Sequence, residues 1–182
     1  MPLSSRAWTA DAVRALPDDG QRYELVHGEL LVTPAPRLQH QIIVSQIADA
    51  LAVACGPSSG YLKLTSPADI SWGSDSLVQP DLFVVPRAEA ATLDWACMRT
   101  LVLVAEVLSP STARQDREQK RRLYQEHGIG AIWLVDADRR QVEVWTPAAR
   151  FPTVETERLL WQPDAAAEPL VTIALSELFG AT

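Results

Sequence analysis

Apolar residues recur along the chain with two periods, and the changes from one to the other mark its elements. Leu38, Ile42, Ile43, Ile47, Leu51 and Ala54 return at helical spacing until Gly56-Pro57 stops the pattern, which predicts a helix. Upstream, Thr9 can cap a short helix that ends at Pro17 and Asp18-Asp19-Gly20. Tyr23-Glu24-Leu25-Val26 and Glu29-Leu30-Leu31-Val32 flank His27-Gly28, a pair suited to a tight two-residue turn, so a hairpin is expected there. Strand-like segments follow at 61–72, 77–86 and 101–108, the last two separated by a polar, alanine-rich connection at 87–99. A second helix is predicted after Ser109-Pro110-Ser111, with Thr112 and Gln115 placed as a capping box and Gly128 as its stop. Residues 131–135 and 141–145 bracket a turn and predict another strand pair. The remainder, rich in Pro and Ala at 163–169, is expected to add one strand and a short terminal helix near Leu175 to Phe179. This order of elements predicts an α/β layer arrangement with a mixed sheet.

The 182 residues suffice for one compact domain, and 1–182 is read as a single domain. With 47% hydrophobic and 21% charged residues the composition is that of a globular chain, neither disordered nor membranous. The longest apolar runs are strand-length, too short to span a bilayer, and no basic segment leading into an apolar stretch opens the sequence. A cytoplasmic location is therefore expected. Cys55 and Cys97 are too few for a disulfide framework and lack partners at metal-ligand spacing, so both are expected as buried reduced thiols. A formal charge of −7 argues against a protein that holds nucleic acid by bulk electrostatics. Any nucleic-acid contact would be local or metal-assisted.

Two carboxylates interrupt apolar segments that otherwise read as buried sheet. Asp81 lies within Leu77-Val78-Gln79-Pro80-Asp81-Leu82-Phe83-Val84-Val85 and Glu106 within Leu101-Val102-Leu103-Val104-Ala105-Glu106-Val107-Leu108. An ionised carboxylate in such a setting is costly unless it is paired, hydrogen-bonded or bound to a metal. If the two strands are neighbours the acids can lie opposite each other, where a hard divalent cation such as magnesium would relieve their repulsion. Taken singly, each acid also reads as a strand-end residue, with Glu106 paired to an arginine. On the second helix Lys120, Leu123, Tyr124 and His127 share one face, with Asp116 a turn before Lys120. That places a lysine within an apolar stripe, aimed at the two acids or paired with Asp116.

These residues resemble a known family. Tyr23-Glu24-Leu25-Val26-His27-Gly28-Glu29, His40-Gln41, Pro80-Asp81, Glu106 to Thr112, Asp116 with Lys120, Leu123-Tyr124 and Ile132-Trp133-Leu134-Val135-Asp136 are similar to the Uma-two family of restriction endonucleases, within the PD-(D/E)xK nuclease superfamily. The resemblance implies a restriction-endonuclease-like core of αβββαβ form, its mixed central sheet flanked by helices and preceded by an added N-terminal helix and hairpin. It implies Asp81 and Glu106 as the metal-binding acids, magnesium or manganese as the cofactor, and DNA as the substrate; a homodimer is compatible with it. The superfamily pattern puts lysine at position 108, where this chain has Leu108, and the resemblance implies that Lys120 replaces it from the following helix. Glu24 matches an acid of the family's first hairpin and is expected to add a ligand or orient a water. His40, in the first turn of its helix, is expected to act structurally or behind the ligands rather than in catalysis.

The function expected from this reading is metal-dependent hydrolysis of phosphodiester bonds. Asp81, Glu106 and a carbonyl such as that of Val107 would hold the ion, and Lys120 would place the water or offset developing charge. Two rivals stand beside it. One is a binding module on the same fold without catalysis; the other is a hydrolase of small substrates using Asp81 and Glu106 as general acid and base.

Overall fold

The structure is a computed structural model describing residues 7–163 and 170–180. Its elements in chain order are α1 (Ala10–Arg14), β1 (Arg22–Val26), β2 (Glu29–Thr33), α2 (Leu38–Leu51), β3 (Tyr61–Thr65), β4 (Ile70–Gly73), β5 (Ser76–Val78), β6 (Leu82–Pro86) and α3 (Arg87–Ala90). They continue with β7 (Leu103–Val107), α4 (Ala113–Gln115), a π turn (Asp116–Lys120), α5 (Arg121–Glu126), β8 (Ala131–Asp136), β9 (Gln141–Trp145), β10 (Thr153–Glu155), β11 (Arg158–Trp161), β12 (Val171–Ala174) and α6 (Leu175–Leu178).

A six-stranded sheet in the order β10-β9-β8-β7-β6-β3 forms the centre, and only its β7–β8 pair is parallel. The parallel step requires a crossover, and α4 to α5 supply it. Strands β2-β1-β5-β4 make a second, four-stranded sheet, and β11 pairs with β12 alone. Alternation along β7 separates two cores. Leu103, Ala105 and Val107 pack with Ile43, Ile47 and Leu51 of α2, whereas Val104 packs with Phe83, Leu123 and Tyr124 on the opposite face. The central sheet is thus covered by α2 on one side and by α5 with the small sheet on the other. This is the mixed, helix-flanked sheet with an added N-terminal helix and hairpin that the sequence implies, and α2, β3, β6, β7, the α4–α5 crossover and β8 trace its αβββαβ core.

Local expectations hold where one residue type decides the geometry. The Thr9 hydroxyl accepts from Ala12 N–H at 3.2 Å and caps α1. His27 and Gly28, at φ 49 and 77, make the hairpin turn between β1 and β2, for which two positive φ angles are needed.

Several expectations need correction. The run 61–72 is two strands of two different sheets, β3 and β4, and 77–86 likewise divides into β5 and β6. Apolar alternation records that a segment is buried, not which sheet buries it. Thr112 does not complete a capping box: its Oγ1 meets Ser109 Oγ at 3.0 Å instead. Beyond residue 145 the described residues hold three strands rather than one; most of the Pro- and Ala-rich 163–169 lies outside them. Leu38 is 77% exposed because the buried stripe of α2 begins at Ile43. Cys55 is buried as expected, but Cys97 is exposed, since it ends a short surface turn rather than a core element.

Candidate active site

The β6–β7 ladder pairs Phe83 with Val104 and Leu82 with Ala105, so one register step further Asp81 stands opposite Glu106. Asp81 itself precedes β6. Its bend is pinned by the Ser66 hydroxyl, placed 3.0 Å from Gln79 O and 2.7 Å from Pro80 O, and by Ser66 N–H donating to Asp81 O at 3.3 Å. The carboxylate then reaches β7, where Val107 N–H donates to Asp81 Oδ2 at 2.9 Å. Glu106 points from β7 toward α5, on the face that carries Val104.

Lys120 joins the acids. Its Nζ lies 2.7 Å from Glu106 Oε1, 3.0 Å from Glu24 Oε1 and 3.7 Å from Asp116 Oδ1. Glu24, reaching in from β1, also accepts from Gln79 N–H at 2.8 Å, and the Tyr124 hydroxyl donates to Glu106 Oε1. Asp116, Lys120 and Tyr124 are spaced by four residues. In an α-helix each such step overshoots one turn by about 40°, so three residues in line need a correction. The wider π turn over Asp116–Lys120 supplies it and brings all three to one side. Arg117 anchors the back of that turn, 2.7 Å from Glu143 Oε1 and 2.8 Å from Asp136 Oδ2.

Of the residues singled out in the sequence, Glu24, Asp81, Glu106 and Lys120 therefore come together, and His40 joins them, its Nε2 2.9 Å from Asp81 Oδ2. One contributor escaped the sequence reading, and another has a larger part than it was given. Arg22 places Nη1 2.8 Å from Asp81 Oδ1, and period-two alternation along β1, which sets Arg22 on the same face as Glu24, was the signal for it. Asp116 is more than the i,i+4 partner of Lys120, because it is buried and opens onto a cavity.

That cavity, of about 640 Å³, is lined by Arg22, Arg37, His40, Asp81, Asp116 and Leu108 among others. Glu24, Glu106 and Lys120 lie behind it, each 1% exposed. Burial dominates their electrostatics. It drives Glu106 up to about 8, with Asp81, Asp116 and Glu24 adding to the rise and Lys120 opposing it. Burial likewise raises Asp116 to about 6 against the pull of Lys120 and a hydrogen bond from Thr112. At Asp81 burial is outweighed by His40, Arg22 and Lys120, which hold the carboxyl below the usual range. Lys120 is kept charged because Glu106, Glu24 and Asp116 outweigh its desolvation. Among the described residues no three His, Cys, Asp or Glu side chains form a ready-made metal cage.

These shifts predict an unusual pH dependence of stability. Glu106 moves from 4.5 to about 8 and Asp116 from 3.8 to about 6, so the native state retains protons that the unfolded chain has released. Stability from such groups is full below their unfolded values and is lost as pH rises through the folded ones. Asp81 contributes with the opposite sign, but only toward strong acid. Urea unfolding is expected to show the midpoint falling between about pH 4.5 and about pH 8. A midpoint that climbs throughout that interval would contradict the burial of neutral acid here.

The fold is shared with a solved structure described as "a putative nuclease belonging to DUF820 from Anabaena variabilis ATCC 29413", at a TM-score of 0.73 and 21% identity, covering 94% of this chain and 97% of that one. No curated protein matches the chain. The Uma2 family model, described as "Putative restriction endonuclease", matches residues 10–176. That match covers nearly the whole chain and places this protein in the Uma2 family.

Proposed function

We propose that the chain is a divalent-cation-dependent endonuclease that hydrolyses phosphodiester bonds of DNA. The observation that carries this reading is the placement of Asp81 opposite Glu106, with Lys120 Nζ 2.7 Å from Glu106 Oε1. Four buried carboxylates, Glu24, Asp81, Glu106 and Asp116, stand against two permanent cations, Arg22 and Lys120, and burial together with the neighbouring acids drives Glu106 up to about 8. A further cation fits that deficit. The donors are all oxygens, as magnesium or manganese prefers, and magnesium needs only one or two carboxylates because it keeps several waters.

Asp81 and Glu106 would hold the ion, with the Val107 carbonyl as a further donor. When bound, it supplies Lewis acidity for ionising water and positive charge for the phosphate. His40 and Val107 N–H fix the orientation of Asp81. Lys120 ties Glu106 to Glu24 and offsets their charge, which keeps two acids side by side in a dry interior. Two copies acting as a homodimer would serve both strands of a duplex.

A second reading has one observation in its favour. Asp81 is held low and Glu106 high, the divergence expected of a general base and a general acid. Cleavage of supercoiled DNA by purified protein separates the two. The nuclease reading expects cutting with magnesium and none in excess chelator; hydrolysis of a small ester that persists in chelator would favour the acid–base reading.

A further inference from the structure

We propose that Arg22 is the side chain that grips the substrate phosphate, taking from β1 the place left open by Leu108. The inference rests on the nuclease reading above and adds to it the residue that meets the polyanion. Lys120 is poorly placed to meet a phosphate, because its side chain is 2% exposed and does not line the cavity, so its ammonium faces carboxylates rather than solvent. The Arg22 side chain is 23% exposed, lines the cavity and sits directly on Asp81. Arg37 also lines the cavity, yet it lies at the exposed start of α2 and makes no contact with the acids. Arg22 is therefore the cation that both touches the acids and opens onto the space in front of them.

Its donors support the assignment. Nη1 is committed to Asp81 Oδ1 at 2.8 Å, with Gln79 O at 3.4 Å. Nε stands 3.6 Å from Glu24 Oε2, too far for a good hydrogen bond, and is buried with no hydrogen-bond partner. Nη2, by contrast, makes no hydrogen bond among the described residues and is not enclosed, so it is the donor that a phosphate oxygen in the cavity can meet. The planar guanidinium can hold Asp81 through Nη1 and a phosphate oxygen through Nη2 at the same time, which an ammonium at the same place would not. Position 108 meanwhile offers the cavity only an aliphatic wall.

The test compares wild type, Arg22→Gln and Arg22→Lys in two assays. Binding of a fluorescein-labelled single-stranded oligonucleotide is followed by anisotropy, with calcium replacing magnesium so that binding is read without cleavage. Arg22→Gln is expected to bind about tenfold more weakly and to lower the salt dependence of binding by about one phosphate contact. Arg22→Lys is expected to keep binding within about threefold but to lose about tenfold or more in magnesium-dependent cleavage, because charge is retained and the fork is not. Wild-type binding and salt dependence in Arg22→Gln would show that Arg22 merely braces Asp81, and would leave the nuclease reading standing on wild-type cleavage. If Arg22→Gln fails to fold, as its melting would reveal, Arg22→Lys decides: wild-type behaviour in both assays overturns the assignment. A wild-type protein that neither binds nor cuts removes the nuclease reading and this inference together.

Discussion

Glu106→Gln is expected to reduce magnesium-dependent DNA cleavage by about a thousandfold or more while leaving the protein folded. The size follows from the several kcal/mol of transition-state stabilisation that a correctly held metal ion supplies, each 1.36 kcal/mol being about tenfold in rate. The preserved fold follows from the site itself. Burial drives Glu106 up to about 8, so near neutrality it is already close to a neutral acid, and a neutral amide of the same shape costs the interior little. Asp81→Asn should inactivate as severely, yet with more damage to stability, because its carboxylate is held ionised by Arg22 and His40. Combining the two should be scarcely worse than either alone, since groups that act as one unit lose their function once. Circular dichroism and melting, run beside the cleavage assay, distinguish lost chemistry from lost structure. Undiminished cutting by the double variant would remove both acids from the mechanism.

The second large effect is structural. Lys120→Met is expected to cost about 3–5 kcal/mol, the range for removing one partner of a buried charge pair. A domain is commonly stable by only about 5–15 kcal/mol, so this variant should be close to unfolding. The reason is positional: Nζ lies within 4 Å of Glu24, Glu106 and Asp116, all buried, and a thioether leaves this acid cluster without the cation at its centre. Two consequences distinguish this loss of charge balance from a simple packing defect, since Met fills similar volume. The deficit should shrink as pH falls and the acids take up protons. It should also shrink in Lys120→Met combined with Glu24→Gln, a non-additivity expected of residues in direct contact. A deficit of equal size at every pH, unrelieved by the second change, would show that Lys120 matters here only for its bulk.

Much of this arrangement was legible because a few residues broke an otherwise regular pattern. Asp81, Glu106 and Lys120 announced themselves as charges in apolar segments, and the expectation that neighbouring strands set the two acids opposite each other matches the β6–β7 register. The hairpin at His27-Gly28 was readable because that turn demands positive φ at both positions. What escaped was long-range partnership. Nothing in an apolar run states that Ile70 pairs with Val78 in one sheet while Tyr61 pairs with Pro86 in another. The π turn was equally hidden, because Asp116, Lys120 and Tyr124 have the same spacing whether or not the helix widens. Arg22 breaks no apolar run, and only the pairing of β1 with β5 carries it to Asp81.

Nuclease chemistry at this site depends on Asp81 and Glu106 sharing a divalent ion. Crystals soaked in manganese and measured at an anomalous wavelength would reveal it. One anomalous peak is expected within ligand distance of an oxygen of each carboxylate, absent from crystals of Glu106→Gln. A peak that contacts neither acid, or no peak at manganese concentrations that support cleavage, would refute the shared ion.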